Sequence, residues 1–206
     1  MLASVVKPSS GHRLSAPNRR RQILGVAIPV FARAGYAGAT TRAVAAAAGV
    51  TEPVLYRHFA DKAALFRATL REATARLTRP LGEAIAGARD ARGRIEALAA
   101  ALPGLLTTHP DELRILCGAA ASHADAAQTA ATRAALQRLL RLLGAALQPS
   151  ALRPGVDTVT AASFLLQVGL GAVLLRPAGL APVERQGFSE RIVAMLTTAL
   201  LRPERA

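Results

Sequence analysis

Residues 40–59 read TTRAVAAAAGVTEPVLYRHF. An alanine-rich stretch of high helix propensity stops at Gly49, and a short segment with its own start signals follows. Thr40 can cap a first helix over residues 41–48. Gly49 then supplies the left-handed backbone that ends it, because glycine has no Cβ to clash there. Val50 turns back toward the interior. Thr51 caps a second helix over 52–59, with Pro53 in its first turn, where a missing N–H costs little. Small side chains at Ala45 and Ala48 allow the two helices to cross closely, while Val44, Val50, Leu55 and Phe59 provide apolar contacts. The pattern predicts a helix-turn-helix.

The rest of the 206-residue chain favours helix almost everywhere: alanine and leucine dominate, aromatics are 3%, and β-branched residues seldom alternate. An all-α fold is expected. A first helix over 19–34 places Ile23, Leu24, Ala27, Ile28 and Phe31 on one face, with Asn18 available as its cap, Gly35 as its end and a kink at Pro29. After the helix-turn-helix, Asp61 caps a helix from Lys62 that Pro80 ends or bends. Further helices are expected over 94–108, 110–122, 125–148, 156–176 and 183–201, separated by Pro, Gly and Asp punctuation. These elements divide into a disordered basic arm (1–17), a three-helix helix-turn-helix domain (18–65) and a helical bundle (66–206).

The charge is polarised along the chain. Residues 1–80 carry 13 Lys or Arg against 3 acids, whereas 81–206 carry 13 against 10, within a total of +13. Such an N-terminal excess is the footprint of a module that binds polyanions. Cys117, the sole cysteine, cannot pair within the chain and suits a reducing cytoplasm. The N-terminus has no apolar core of the kind a secretory signal needs. The apolar window 159–175 contains Gln167 and two glycines and falls short of the roughly 20 residues that cross a bilayer, so a buried helix is expected rather than a membrane span. Catalysis finds no support: His12, His58, His109 and His123 are not spaced as metal ligands, and Gly169-x-Gly171 has no preceding strand to make it a dinucleotide loop. No metal and no cofactor is expected.

The second motif helix offers a hydroxyl, a guanidinium and an imidazole at Tyr56, Arg57 and His58, with Lys62 shortly after. All can donate to phosphate oxygens, while residues at the start of such a helix reach base edges in the major groove. From Arg19 to Leu70, the segments FARAGYAGAT, TTRAVAAAAGV and TEPVLYRHFADKAALF resemble the DNA-binding domain of the tetracycline repressor (TetR) family of bacterial regulators. The Ala-Gly-Val, Leu-Tyr-x-His-Phe and Lys-x-x-Leu elements carry that resemblance. It implies a homodimer on a double-stranded DNA operator, a C-terminal effector cavity, and repression relieved when the effector alters the spacing of the two heads.

Carried over position by position, the resemblance puts Arg42 on a base or phosphate, Thr40 and Thr41 on the backbone, and Glu52 and Pro53 against bases, with Thr51 in the same contact set. Val54 stands where many members have a phosphate-bonding threonine, so a thymine methyl becomes its expected partner. Tyr56, His58 and Lys62 would bind phosphate, with Arg57 beside them. Glu52 repels phosphate but can accept from cytosine N4, which implies readout of a C·G pair.

For the effector, the distinctive candidates are His109, Arg114, Cys117, His123, Phe164 and Gln167, and the Ala/Leu content suits a small hydrophobic or amphipathic ligand. The two most apolar C-terminal helices would form a four-helix dimer interface. A competing expectation is a helical small-molecule-binding protein whose head no longer reads specific DNA.

Overall fold

In the computed structural model the described residues are 15–122, 126–176 and 187–203. The chain forms α1 (Ala16–Gly38), α2 (Thr41–Ala47), α3 (Glu52–Tyr56), α4 (Lys62–Ala86), α5 (Ala91–Thr108), α6 (Pro110–Ala121), α7 (Ala126–Ala146), α8 (Thr158–Leu175) and α9 (Phe188–Leu200). Among the described residues no strand forms, and the one bridge is an isolated antiparallel pair, Leu152 with Leu201. Around it, Arg153 N–H donates to the Leu200 carbonyl and Arg202 N–H to the Ala151 carbonyl, both at 2.9 Å, which ties the end of α9 to the α7–α8 connection. The arm 1–14 and residues 183–186 of the last expected helix lie outside the described residues.

Local side-chain caps set the starts of α2, α4, α5 and α8. Thr40 Oγ1 accepts from Ala43 N at 3.0 Å, Asp61 Oδ1 from Ala64 N at 2.5 Å, and Asp90 Oδ1 from Gly93 N at 2.8 Å. Each bond satisfies one amide that the first helical turn would leave open. Asp157 caps α8 through both Val159 N and Thr160 N and also accepts from the Thr160 hydroxyl, and these bonds hold its carboxyl below the usual range.

Several expected boundaries move. The cap of α1 is Ser15 rather than Asn18, which lies inside the helix and accepts from Arg21 at 2.6 Å. No non-helical residue marks Pro29; the break inside α1 is at Gly35 (φ 67°, ψ 179°). Ile23, Ala27, Ile28 and Phe31 are buried on the face of α1 that packs against α4 and α6, and that packing outweighs the proline's lost bond. Pro80 likewise fails to end α4, which continues to Ala86. The helix α3 is shorter than expected, with Arg57, His58 and Phe59 in the turn beyond it.

One apolar core runs from the head into the bundle, joining Ile23 and Phe31 of α1, Val44 of α2, Leu55 of α3, Leu65 and Leu70 of α4 and Leu116 of α6. A second cluster unites α5, α7, α8 and α9 around Ile95, Leu143, Leu165 and Leu196. Residues 65 and 66, where the head was expected to give way to the bundle, fall inside α4.

Gly35, ahead of the helix-turn-helix, and Gly49, within its turn, carry positive φ for different reasons. Gly49 (φ 64°) ends α2, and Gly35 combines φ 67° with an extended ψ of 179°, a region essentially reserved to glycine. A Cβ at either position would meet no atom within 4 Å, so backbone conformation alone sets the cost of adding one. Gly49→Ala should therefore lose about 1 kcal/mol and Gly35→Ala about 1–3 kcal/mol of unfolding free energy. Urea titration of the two variants should rank Gly35→Ala as the worse.

Candidate nucleic-acid interface and interior cavity

The crossing of α2 and α3 is fixed from both sides. On the outer side Thr41 Oγ1 donates to Glu52 Oε1 at 2.7 Å and lies 3.2 Å from the Tyr56 hydroxyl, so one threonine links the start of α2 to both ends of α3. On the inner side Arg20 of α1 donates to the His58 carbonyl at 2.6 Å and stacks 4.2 Å over the Phe59 ring. Gln22 Nε2 reaches the Ala48 carbonyl at 3.3 Å. Arg20 and Gln22 were not singled out by sequence; their only mark there is a place at the start of the first helix beside other cations.

The face left by this frame is polar and open. Thr40, Arg42, Thr51, Pro53, Tyr56 and Arg57 are exposed, while Thr41, Glu52, Val54, His58 and Lys62 are half-buried. Thr51 sits at the cap position of α3 without a side-chain capping bond, so its hydroxyl is not consumed by the helix it precedes. The Glu52 carboxylate already accepts from Thr41 through one oxygen. Lys62 donates to the Ala37 carbonyl at 3.2 Å with its ammonium 4.9 Å over the Tyr36 ring, which in turn packs 4.9 Å from Phe66. That anchors the ammonium at the first residue of α4, where open backbone amides and the helix dipole favour an anion.

Residues 23–69 match the family model described as bacterial regulatory proteins, tetR family. The similarity to the tetR family is carried by the head, not by the whole chain. Over 87 residues it is 38% identical to the HTH-type transcriptional activator FasR of Mycolicibacterium smegmatis, a match covering 42% of this chain and 40% of that protein. It is 41% identical over 66 residues to the HTH-type transcriptional repressor AcnR of Corynebacterium efficiens, covering 32% of this chain and 35% of that one. The chain thus spans well under half the length of these curated relatives. The fold extends further: the transcriptional regulator FadR from Bacillus subtilis, solved in complex with stearoyl-CoA, superposes with a TM-score of 0.73 at 17% identity, over 87% of this chain and 98% of that one.

Behind this head, α4 to α9 line a cavity of about 110 Å³. Its walls are apolar throughout and include Leu77 and Leu81 of α4, Leu102 of α5, Leu116 of α6, Leu143 of α7 and Leu165 of α8. None of the described candidates raised from the sequence lines it, and each of these has a structural reason. Phe164 is 42% exposed and Gln167 is exposed, both on the outer face of α8. Arg114 is exposed and paired with Asp111 at 2.7 Å. His109 is half-buried, with Nδ1 3.8 Å from Glu112 Oε1. Cys117 is buried and shares with Arg114 and Arg176 a separate small cleft against the end of α8. His123 lies outside the described residues. Among the described residues no group of His, Cys, Asp and Glu is placed to hold a metal ion.

Burial pushes the Cys117 thiol from 9.0 to about 11. The folded state therefore holds the proton more tightly than the unfolded chain. The stability this contributes is full below pH 9 and is lost as pH rises toward 11. Urea unfolding between pH 8 and 11 should show a falling limb that is shallower in Cys117→Ala. At pH 8 the native thiol should also react with iodoacetamide far more slowly than the unfolded one.

Proposed function

We propose that this protein is a cytoplasmic transcription regulator that binds a palindromic DNA operator as a homodimer and answers to a small apolar or amphipathic effector. The observation that carries the reading is the exposed polar face of α2 and α3, held rigid by Thr41 and Arg20 at the most basic end of the chain. In this reading Thr40, Thr51, Tyr56, Arg57, His58 and Lys62 position the head on phosphates, and Arg42, Pro53 and Val54 approach base edges. Glu52, with one carboxylate oxygen held by Thr41, uses the other to accept from cytosine N4. The named relatives include both an activator and a repressor; repression is the sense we assign, by interference with transcription at the bound operator. These relatives are regulators rather than enzymes, and this reading assigns no catalytic residue.

Dimerisation rests on α8 and α9. By length and composition α8 is apolar enough to cross a membrane, and against the expectation of a buried helix only 17% of it is buried, at Ala161, Ala162 and Leu165. Its opposite face carries Thr160, Phe164, Gln167, Gly171, Leu174 and Leu175 at helical spacing, without a charge. Leu174 is 63% exposed and Met195 on α9 67%. An uncharged apolar face of this kind suits a self-complementary twofold interface, in which each α8–α9 pair packs on its mate. Two heads would then meet major grooves about 34 Å apart.

The effector would enter the leucine-lined cavity. At about 110 Å³ it holds only a small apolar group as it stands, below the roughly 300 Å³ at which ligand pockets usually begin. A larger ligand must therefore spread the helices around it. Because α4 forms part of the cavity wall and begins at Lys62, any such spreading moves the head. The effector shifts operator affinity by its differential binding to the two arrangements.

Selection from random duplexes should yield an inverted repeat that outcompetes random duplex at physiological salt; loss of that preference would favour a ligand-binding protein with an idle head. Glu52→Gln should shift one position of each half-site from cytosine toward adenine, and an unchanged motif would remove Glu52 from the base-reading set. In sedimentation, Phe164→Glu combined with Leu174→Glu should convert a dimer into a folded monomer with at least tenfold weaker operator binding.

A further inference from the structure

On the side of the bundle facing away from the cavity, α4 and α7 present two rows of arginine to each other. Arg67, Arg71 and Arg79 lie on one line of α4, at multiples of four residues, and Arg138 and Arg141 face them from α7. The floor between the rows is built from small side chains, with Ala75, Thr78 and Gly82 on α4 and Ala130, Ala131 and Ala134 on α7. Arg138 and Arg141 line both halves of this groove, and Glu83 is the sole acid lining it.

All five guanidiniums are exposed, and among the described residues none makes a hydrogen bond or an ion pair. The contrast with Arg76 is internal to the same helix, for Arg76 is held by Glu72 at 3.0 Å and by Glu112 at 3.3 Å. No acid occurs anywhere in α7. Packed helices lie about 8–10 Å apart, close to one screening length of physiological salt, so repulsion between the two rows is only partly screened. Like charges four apart on one helix add to that strain. Such an arrangement is relieved by an anion dense enough to engage several guanidiniums at once, and the planar fork of arginine suits phosphate oxygens in pairs.

We propose that the α4–α7 groove is a binding site for a small polyphosphate group, separate from both the DNA-reading face and the apolar cavity. A groove one helix spacing wide, floored by alanine and glycine, accepts a linear chain of phosphates. A duplex held by α2 and α3 does not run along it, because the rows climb α4 away from Lys62, and Arg79 stands about 25 Å up the helix. The occupant would draw together two helices whose other faces, through Leu77, Leu81, Leu139 and Leu143, border the cavity. It is thus a second input to α4, and it stands whether or not the head reads specific DNA.

The test is isothermal titration of the full-length protein with sodium tripolyphosphate, at ionic strength held constant, with sodium sulfate as comparator. Saturable binding of one tripolyphosphate per chain is expected, at least tenfold tighter than sulfate. Arg138→Gln with Arg141→Gln should weaken it at least tenfold, Arg71→Gln alone should weaken it measurably, and Arg89→Gln, an exposed arginine outside the groove, should leave it unchanged. Non-saturable binding, or an equal loss in Arg89→Gln, would overturn the proposal as general charge attraction. If a short random duplex lost as much affinity as tripolyphosphate in the double variant, the groove would be a nucleic-acid surface instead. Arg71→Gln keeps the question answerable should the double variant fail to fold.

Discussion

The structure depends on α4 remaining one uninterrupted helix of 25 residues. Its first turns bury Leu65, Phe66 and Leu70 in the core of the head, where Phe66 meets Phe31 edge to face at 5.1 Å and Tyr36 at 4.9 Å. Three turns later the same helix supplies Leu77 and Leu81 to the cavity wall. A helix bends far less readily than the loops around it, so displacement at one end is carried to the other without a chain of intermediate contacts. The separation into a head and a bundle is therefore a division of roles along a shared rod, which continues unbroken through Pro80.

Rigidity in the head has a different origin. Five residues of α3 cannot hold a helix alone, since nucleation costs more than one or two turns return. Leu55 and Phe59 bury its inner side, Arg20 fastens the carbonyl of His58, and Thr41 fastens Glu52 and Tyr56. The same polar atoms that would face nucleic acid are thereby preorganised by bonds to each other. A reading surface of this kind loses little conformational entropy on contact.

How much of this was open to the sequence follows from how local each cause is. Thr40, Gly49 and Asp61 act on amides or φ angles within a few residues, and their effects can be read directly. The end of α3 cannot, because Arg57, His58 and Phe59 favour helix no less than their neighbours and are turned by tertiary contacts to α1. The cavity escapes sequence reading for a further reason. Polar residues such as His109, Arg114 and Gln167 stand out by chemistry, but a void is a property of spacing between helices. Leucines that border it are indistinguishable in sequence from leucines packed solid. The partnership of Arg20 with a residue 38 positions away is equally invisible before folding.

The bond between Arg76 and Glu112 shows how the cavity and α4 are held in register. Glu112 is 8% exposed, and Arg76 of α4 binds its Oε1 at 3.3 Å while the His109 imidazole lies at 3.8 Å. Its chain neighbour Leu113, with Leu116 one turn on, lines the cavity, so the carboxylate is mounted directly on a cavity wall. Arg76 also lies beneath α1, where its guanidinium is the nearest atom, at 3.7 Å, to where a Cβ on Gly25 would stand. A shift of α6 that kept this ion pair must carry α4 with it, and one that broke the pair would strand a mostly buried carboxylate, which is costly. The cheaper course is for α4, α6 and the adjoining part of α1 to move as a unit rather than slip past one another.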